Sequence, residues 1–303
     1  MEDAALLRPE SGSPLVFSVD FITPVVDDPY AFGAIAAANA LSDIYAMGGE
    51  PQIALAVCGF PEEQLPREVL TKIFQGGRDK AAEAGCAVAG GHTVLDPELK
   101  YGLCVLGSVA PDRILAQTGV RPGDKLVLTK PIGVGIAAQA IKQQRLDPDA
   151  LREVLASMSC LNDTARDAAL ATGVRAATDV TGFGLLGHLH NLLAASGCAA
   201  RLVASQVPLL RATRSLADAG LVPGGSKRNL EYVARVARFD AGVSEIERLI
   251  LADSQTSGGL LLAVPPENEA ALLADLEARG SLARATIGEA RAGEPGQIDV
   301  VSR

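Results

Sequence analysis

Apolar positions along the chain fall into two rhythms. Short strand-like runs occupy 15–20, 52–59, 86–89, 101–109, 125–129, 174–178, 199–203, 259–264 and 284–288. Longer helix-like segments occupy 31–47, 66–84, 134–144, 149–171, 184–196, 243–252 and 267–279. Such alternation predicts an α/β (α+β layered) architecture, because each element must hide an apolar face against the next. The stretch from Pro111 to Gly123 interrupts the pattern. It holds no long apolar period and ends in the turn sequence Arg121-Pro122-Gly123-Asp124. The expected division is therefore an N-terminal domain, 1–112, and a C-terminal α/β domain, 113–303. No short-period repeat or low-complexity tract is visible.

Composition narrows the class. The 303 residues are 48% apolar but only 4% aromatic, as in Ala/Val/Leu-rich α/β enzymes, and suffice for one large or two medium cores. The net charge of −9 and the absence of a Lys/Arg run argue against nucleic acid or an anionic membrane surface as the main partner. No apolar stretch approaches the roughly 20 residues of a membrane span, and no signal peptide is recognisable. The five scattered cysteines form no Cys-x-x-Cys pair, which reads as small core residues in a reducing cytoplasm.

The candidate chemistry is carboxylate chemistry. Asp179 ends an apolar run and precedes the glycine-spaced segment Gly182-Phe183-Gly184-Leu185-Leu186-Gly187-His188. An ionised carboxylate there needs a cation, a cluster of donors or water, and the bare N–H groups of a helix start attract anions. Metal and phosphate are the first ligands to consider. Asp20 ends the run Leu15-Val16-Phe17-Ser18-Val19, Asp43 sits in a helix-like segment that stops at Gly48-Gly49, and Asp3 lies near the start of the sequence. They form one site only if the fold gathers them. Asn39, one helical turn before Asp43, reads either as a group orienting that carboxylate or as a plain buried contact. Lys130 with Gly133-Val134-Gly135 reads as a strand-to-helix turn that could hold phosphate or be purely structural. His188 and His190 face different sides of one helix, which is wrong for a zinc pair, so His188 is read as packing or capping.

Taken together these motifs resemble the selenophosphate synthetase (selenide, water dikinase) family. The matching runs are Asp20-Phe21 with Pro24-Val25-Val26-Asp27-Asp28-Pro29, Ala38 to Gly49, Ala89-Gly90-Gly91-His92-Thr93, Leu128 to Gly133, Thr178 to His188, Pro223-Gly224-Gly225 with Arg228-Asn229, and Gln255-Thr256-Ser257-Gly258-Gly259. Ser254 departs from the family's usual Pro. The resemblance implies the two-domain aminoimidazole ribonucleotide synthetase-like fold and a homodimer whose N-terminal domains pair through their sheets. It also implies Mg²⁺, K⁺, and conversion of selenide, ATP and water to selenophosphate, AMP and orthophosphate. By motif position it implies Mg²⁺ ligands at Asp3, Asp43 and Asp179, ATP contacts at Asp20 and Asp43, and a nucleotide-reaching loop, Gly91, His92 and Thr93, from the partner subunit.

Family members also carry a glycine-rich N-terminal segment with a Cys or selenocysteine nucleophile and a Lys ahead of the Asp3 motif. The sequence begins two residues before Asp3, so no catalytic residue is assigned within this chain. A selenocysteine codon read as a stop is the favoured explanation, over a removed segment or a short paralogue. Two rival readings stand beside the enzyme: an MgATP-binding scaffold inactive as it stands, and another ATP-dependent enzyme of the same superfamily.

Overall fold

The computed structural model describes residues 3–303. The first layer is a five-stranded sheet made of β1 (Ala5–Leu7), β2 (Leu15–Ile22), β3 (Glu50–Phe60), β4 (Ala87–Leu95) and β5 (Lys100–Ser108), in the order β1-β2-β5-β3-β4. All its pairings are antiparallel except β3 with β4. Two helices, α1 (Pro29–Ala46) and α2 (Arg67–Glu83), belong to this half. Alternation along β2 sets the two faces of the sheet. Val16 and Ser18 are buried, while Phe17, Val19 and Phe21 are exposed.

α1 starts where Asp28 accepts the Ala31 N–H at 2.7 Å and Pro29 takes the first helical position, a strong start signal. It is buried nearly all round. A helix apolar on every side must lie between layers, and the core shows why. Ile35, Leu41 and Ile44 of α1 share one cluster with Leu103 and Val105 of the sheet, and with Val134, Val154 and Met158 from the C-terminal half.

That half holds a seven-stranded mixed sheet. Its strands are β6 (Lys125–Leu128), β7 (Ala176–Asp179), β8 (Ala199–Val203), β9 (Ala237–Phe239), β10 (Leu260–Val264), β11 (Ala285–Arg291) and β12 (Ile298–Val301), in the order β7-β10-β6-β11-β8-β12-β9. The helices are α3 (Val134–Lys142), α4 (Pro148–Ser159), α5 (Asp163–Ala171), α6 (Gly184–Ser196), α7 (Thr213–Asp218), α8 (Gly224–Val233), α9 (Glu245–Leu251) and α10 (Glu269–Ala278). No helix among the described residues is long and apolar enough to cross a membrane.

Two expectations are corrected. The single helix over 149–171 is two helices, α4 and α5, separated at Cys160–Asn162. The Asn162 side chain spans the break, donating to Ser42 Oγ at 2.9 Å and to the Gly258 carbonyl at 2.8 Å. The strand expected at 86–89 runs on to Leu95, so Gly91, His92 and Thr93 are part of an edge strand and not a loop. Gly91 makes this possible: a Cβ there would lie 2.2 Å from the Ala56 carbonyl oxygen on β3. The cysteines are all free, but only Cys58, Cys86 and Cys198 are buried; Cys104 and Cys160 are half-buried.

Candidate active site

Four aspartates predicted from scattered motifs meet where the two halves join. Asp20 lies on β2 and Asp43 in the last turns of α1. Asp179 ends β7 opposite Leu260 of β10, and Asp3 precedes β1. Asp43 feels the charges of Asp179, Asp3 and Asp20, and Asp20 feels that of Asp179. Burial, reinforced by this mutual repulsion, pushes the Asp20 and Asp43 carboxyls above the ordinary carboxylate range. Burial alone raises Asp179, against the Ser42 hydroxyl and the Lys130 ammonium, which favour its ionised form.

Each carboxylate has its own holder. Asp43 accepts from the Ser18 hydroxyl, two residues before Asp20 on the same face of β2. Asp20 Oδ2 accepts from Asn39 Nδ2 at 2.5 Å. Asp3 Oδ1 accepts from Gln117 Nε2 and from Thr178 Oγ, each at 2.8 Å. Asp179 Oδ2 is buried and has no hydrogen-bond partner among the described residues.

A buried carboxylate oxygen without a donor suits a hard cation, and an all-oxygen set of dispersed aspartates is the type that Mg²⁺ takes. The aspartates fit such an ion by chemistry. Their present spacing is open: among the described residues no three acidic, His or Cys side chains enclose a single point.

The C-terminal half reaches this site through the strap Gln255–Gly259. The Ser257 N–H donates to Asn39 Oδ1 at 2.7 Å, and the Ser257 carbonyl accepts from Lys130 Nζ at 2.9 Å. Gly258 lies so close to the residue after Asp179 that a Cβ would stand 2.0 Å from the Val180 carbonyl oxygen. Asn39 is thus spent on Asp20 and Ser257, not on Asp43.

The turn at Lys130 is structural. Lys130 is buried, which pulls its ammonium down to about 8, and it also donates to the Cys160 carbonyl at 2.7 Å. The N–H groups that open α3 are already taken. Gly133 and Val134 donate to Gln255 Oε1, both at 3.1 Å. Gly135 and Ile136 donate to Asp253 Oδ2 at 3.0 and 3.2 Å. Asp253, pushed up to about 6 by burial, is a cap that the sequence reading did not single out. His188 behaves as a cap: its Nε2 lies 3.1 Å from the Thr181 N–H, and burial lowers it to about 4.

Gly91, His92 and Thr93 lie apart from the carboxylates within one chain. Asp20 pairs with Leu103, Leu103 with Ala56, and Ala56 with Gly91. Gly91 is therefore three strand spacings, about 14 Å, from Asp20.

Residues 1–109 match the family model described as AIR synthase related protein, N-terminal domain, and residues 121–301 match its C-terminal counterpart. Selenide, water dikinase of Myxococcus xanthus is 49% identical over 303 residues, covering 99% of this chain and 85% of that protein. The enzyme of the same name from Pelobacter propionicus is 48% identical over 291 residues, covering 95% and 83%.

The chain belongs to the selenide, water dikinase family.

Among solved structures, thiamine monophosphate kinase AaThiL, complexed with AMPPCP and TMP, superimposes with a TM-score of 0.70 at 20% identity, covering 99% of this chain and 87% of that one. At that identity the likeness is one of fold, and it agrees with the two-domain architecture expected for the family.

Sequence reasoning missed the holders Ser18, Ser42, Gln117 and Asn162. Ser18 carried a usable signal, since residues i and i+2 of a strand share a face. The others are joined to the site only by tertiary packing.

Proposed function

We propose that this chain catalyses ATP-dependent formation of selenophosphate from selenide and water, releasing AMP and orthophosphate. The observation that carries the reading is the convergence of Asp3, Asp20, Asp43 and Asp179 at one seam, with an Asp179 oxygen left without a donor among the described residues. Similarity at 49% identity to a selenide, water dikinase supports selenide as the substrate. Asp3, Asp43 and Asp179 would hold Mg²⁺, with Asp20 and Asp43 facing the nucleotide. When bound, Mg²⁺ neutralises the polyphosphate and the charge that builds on the transferred phosphoryl group. K⁺ completes the requirement implied by the family.

The chain's own residues supply positioning. Ser18 and Asn39 fix the two carboxylates that rise from the N-terminal sheet and helix, and Gln117 with Thr178 fixes Asp3. Lys130 and Asn162 anchor the strap that carries Ser257. Burial of the seam keeps bulk water from competing for the carboxylates.

The protein acts as a homodimer in this reading. Phe17, Val19 and Phe21 of β2 and Ile53 and Leu55 of β3 leave one sheet face apolar and exposed. Residues in the same rows of an antiparallel sheet make one continuous patch, and patches of this kind mark association surfaces. His92 shares that face, in the row Phe21, Gly102, Val57, His92. A partner packed there would bring a second Gly91–Thr93 segment toward the carboxylates that its own chain holds about 14 Å away.

The test is anaerobic incubation of the chain with MgATP, K⁺ and selenide, followed by ³¹P NMR and nucleotide chromatography. Selenophosphate with equimolar AMP and orthophosphate is expected. MgATP binding without selenide-dependent AMP would replace the enzyme with the scaffold reading.

A further inference from the structure

Ser257 combines two features that a folded chain would avoid. Its φ is +51°, a left-handed conformation that favours glycine, and its hydroxyl is buried with no hydrogen-bond partner among the described residues. Both disfavour serine at this place on grounds of folding alone. Glycine would relieve both, and alanine the second alone. The conformation is nevertheless enforced from three sides. Asn39 holds the Ser257 N–H, Lys130 holds its carbonyl, and Asn162 holds the carbonyl of Gly258.

Its surroundings say what the hydroxyl is for. Asn39 joins the Ser257 backbone directly to the Asp20 carboxylate. On the other side the strap continues the ladder that carries Asp179: Leu260 pairs with Asp179, and the Val180 N–H donates to the Gly259 carbonyl at 2.9 Å. Two buried oxygens without partners among the described residues, Ser257 Oγ and Asp179 Oδ2, thus belong to adjoining segments at the seam between the two halves. A hydroxyl can donate to an anion where a carboxylate can only accept. Phosphate oxygens next to a carboxylate-held cation are the acceptors such a pair would meet.

We propose that Ser257 is a nucleotide-binding residue whose hydroxyl donates to a phosphate oxygen of the nucleoside triphosphate. This rests on the MgATP reading above. The strained, anchored strap is then a preformed donor, set in place before ligand arrives.

The experiment compares the full chain with Ser257→Ala and Ser257→Gly, measuring the thermal midpoint without ligand and the affinity for Mg²⁺–AMPPCP by titration calorimetry. Ligand-free midpoints equal to or above wild type are expected, with Ser257→Gly the higher of the two. Affinity for Mg²⁺–AMPPCP is expected to fall about tenfold in both. Unchanged affinity in both variants, or a lowered ligand-free midpoint in Ser257→Gly, would overturn the assignment. If wild type binds and the variants bind equally well, Ser257 alone is misassigned; if wild type does not bind Mg²⁺–AMPPCP, the MgATP reading falls and takes Ser257 with it.

Discussion

Asn39 grips Asp20: Nδ2 of one lies 2.5 Å from Oδ2 of the other, across the gap between α1 and β2. The same amide accepts from Ser257, so one side chain fixes a site carboxylate and the strap from the other half of the chain. Replacing Asn39 by Asp keeps the acceptor but turns the donor into a second carboxylate. Asn39→Asp is expected to lower stability at pH 7 by about 2 kcal/mol or more, and by more than Asn39→Ala. The two facing carboxylates can share a proton, so the raised folded pKa returns stability as pH falls. Thermal midpoints at pH 7 and pH 5 should therefore converge for the two variants.

Asp179 is buried beside other acids, with one oxygen unpartnered among the described residues. Removing its charge relieves repulsion that the ligand-free chain bears alone. Asp179→Asn is expected to raise the ligand-free midpoint by about 3 °C or more and to abolish the further rise that Mg²⁺ and nucleotide give to wild type. Scanning calorimetry with and without Mg²⁺–AMPPCP measures both. A variant destabilised without ligand, yet still stabilised by it, would remove Asp179 from the proposed cation site.

How far the sequence could be read follows from what each signal depends on. The regular elements rest on local periodicity, and the segments at 199–203 and 184–196 lie where expected. The break between α4 and α5 was not legible, because Asn162, just before α5, turns its side chain to partners on α1 and the strap. Nothing within 149–171 announces them. Asp20 and Asp179 were visible as charges at the ends of apolar runs, Asp43 and Asp3 only through their motifs, and the companions of all four were not visible. Asn39 looked like a neighbour of Asp43 at helical spacing, yet the sheet packed above α1 offers Asp20 to it instead. The glycine turn after Lys130 looked open to phosphate, because the residues that fill it, Asp253 and Gln255, are more than a hundred positions away.

Asn162 offers a direct measure of that long-range coupling. Its amide is buried and donates twice, to Ser42 and to Gly258. Asn162→Ala leaves both acceptors without this donor and is expected to cost about 1–3 kcal/mol. Because Ser42 favours the ionised form of Asp179, the affinity for Mg²⁺–AMPPCP should fall as well. Denaturant melts and calorimetric titration of the same preparation would separate the two effects.

The exposed face of the first sheet makes its own prediction. Val19, at the middle of β2, is 57% exposed between Phe17 and Phe21. A charge there leaves the buried face untouched but would be desolvated in a dimer. Val19→Lys is expected to shift the chain from dimer to monomer in light scattering, with little change in its far-ultraviolet circular dichroism. Selenide-dependent AMP formation should fall with it if a partner's Gly91–Thr93 segment completes the site. Full activity in a monomeric variant would instead confine the site to one chain.

His188 gives the fold a pH dependence opposite in sign to that of the site acids. Burial holds the imidazole at about 4, against an unfolded value near 6.5. Between these values the unfolded chain binds the extra proton, so this group removes stability as pH falls from 6.5 toward 4, by on the order of 3 kcal/mol in all. The raised carboxyls of Asp20, Asp43, Asp179 and Asp253 act the other way, adding stability on acidification. A whole-protein profile mixes the two, but a difference isolates the histidine. His188→Gln keeps an acceptor for the Thr181 N–H and cannot titrate. The midpoint of wild type minus that of the variant should be largest at pH 7, shrink through pH 6 and reach its minimum at or below pH 4. A flat difference would mean that the imidazole is not held neutral against Thr181.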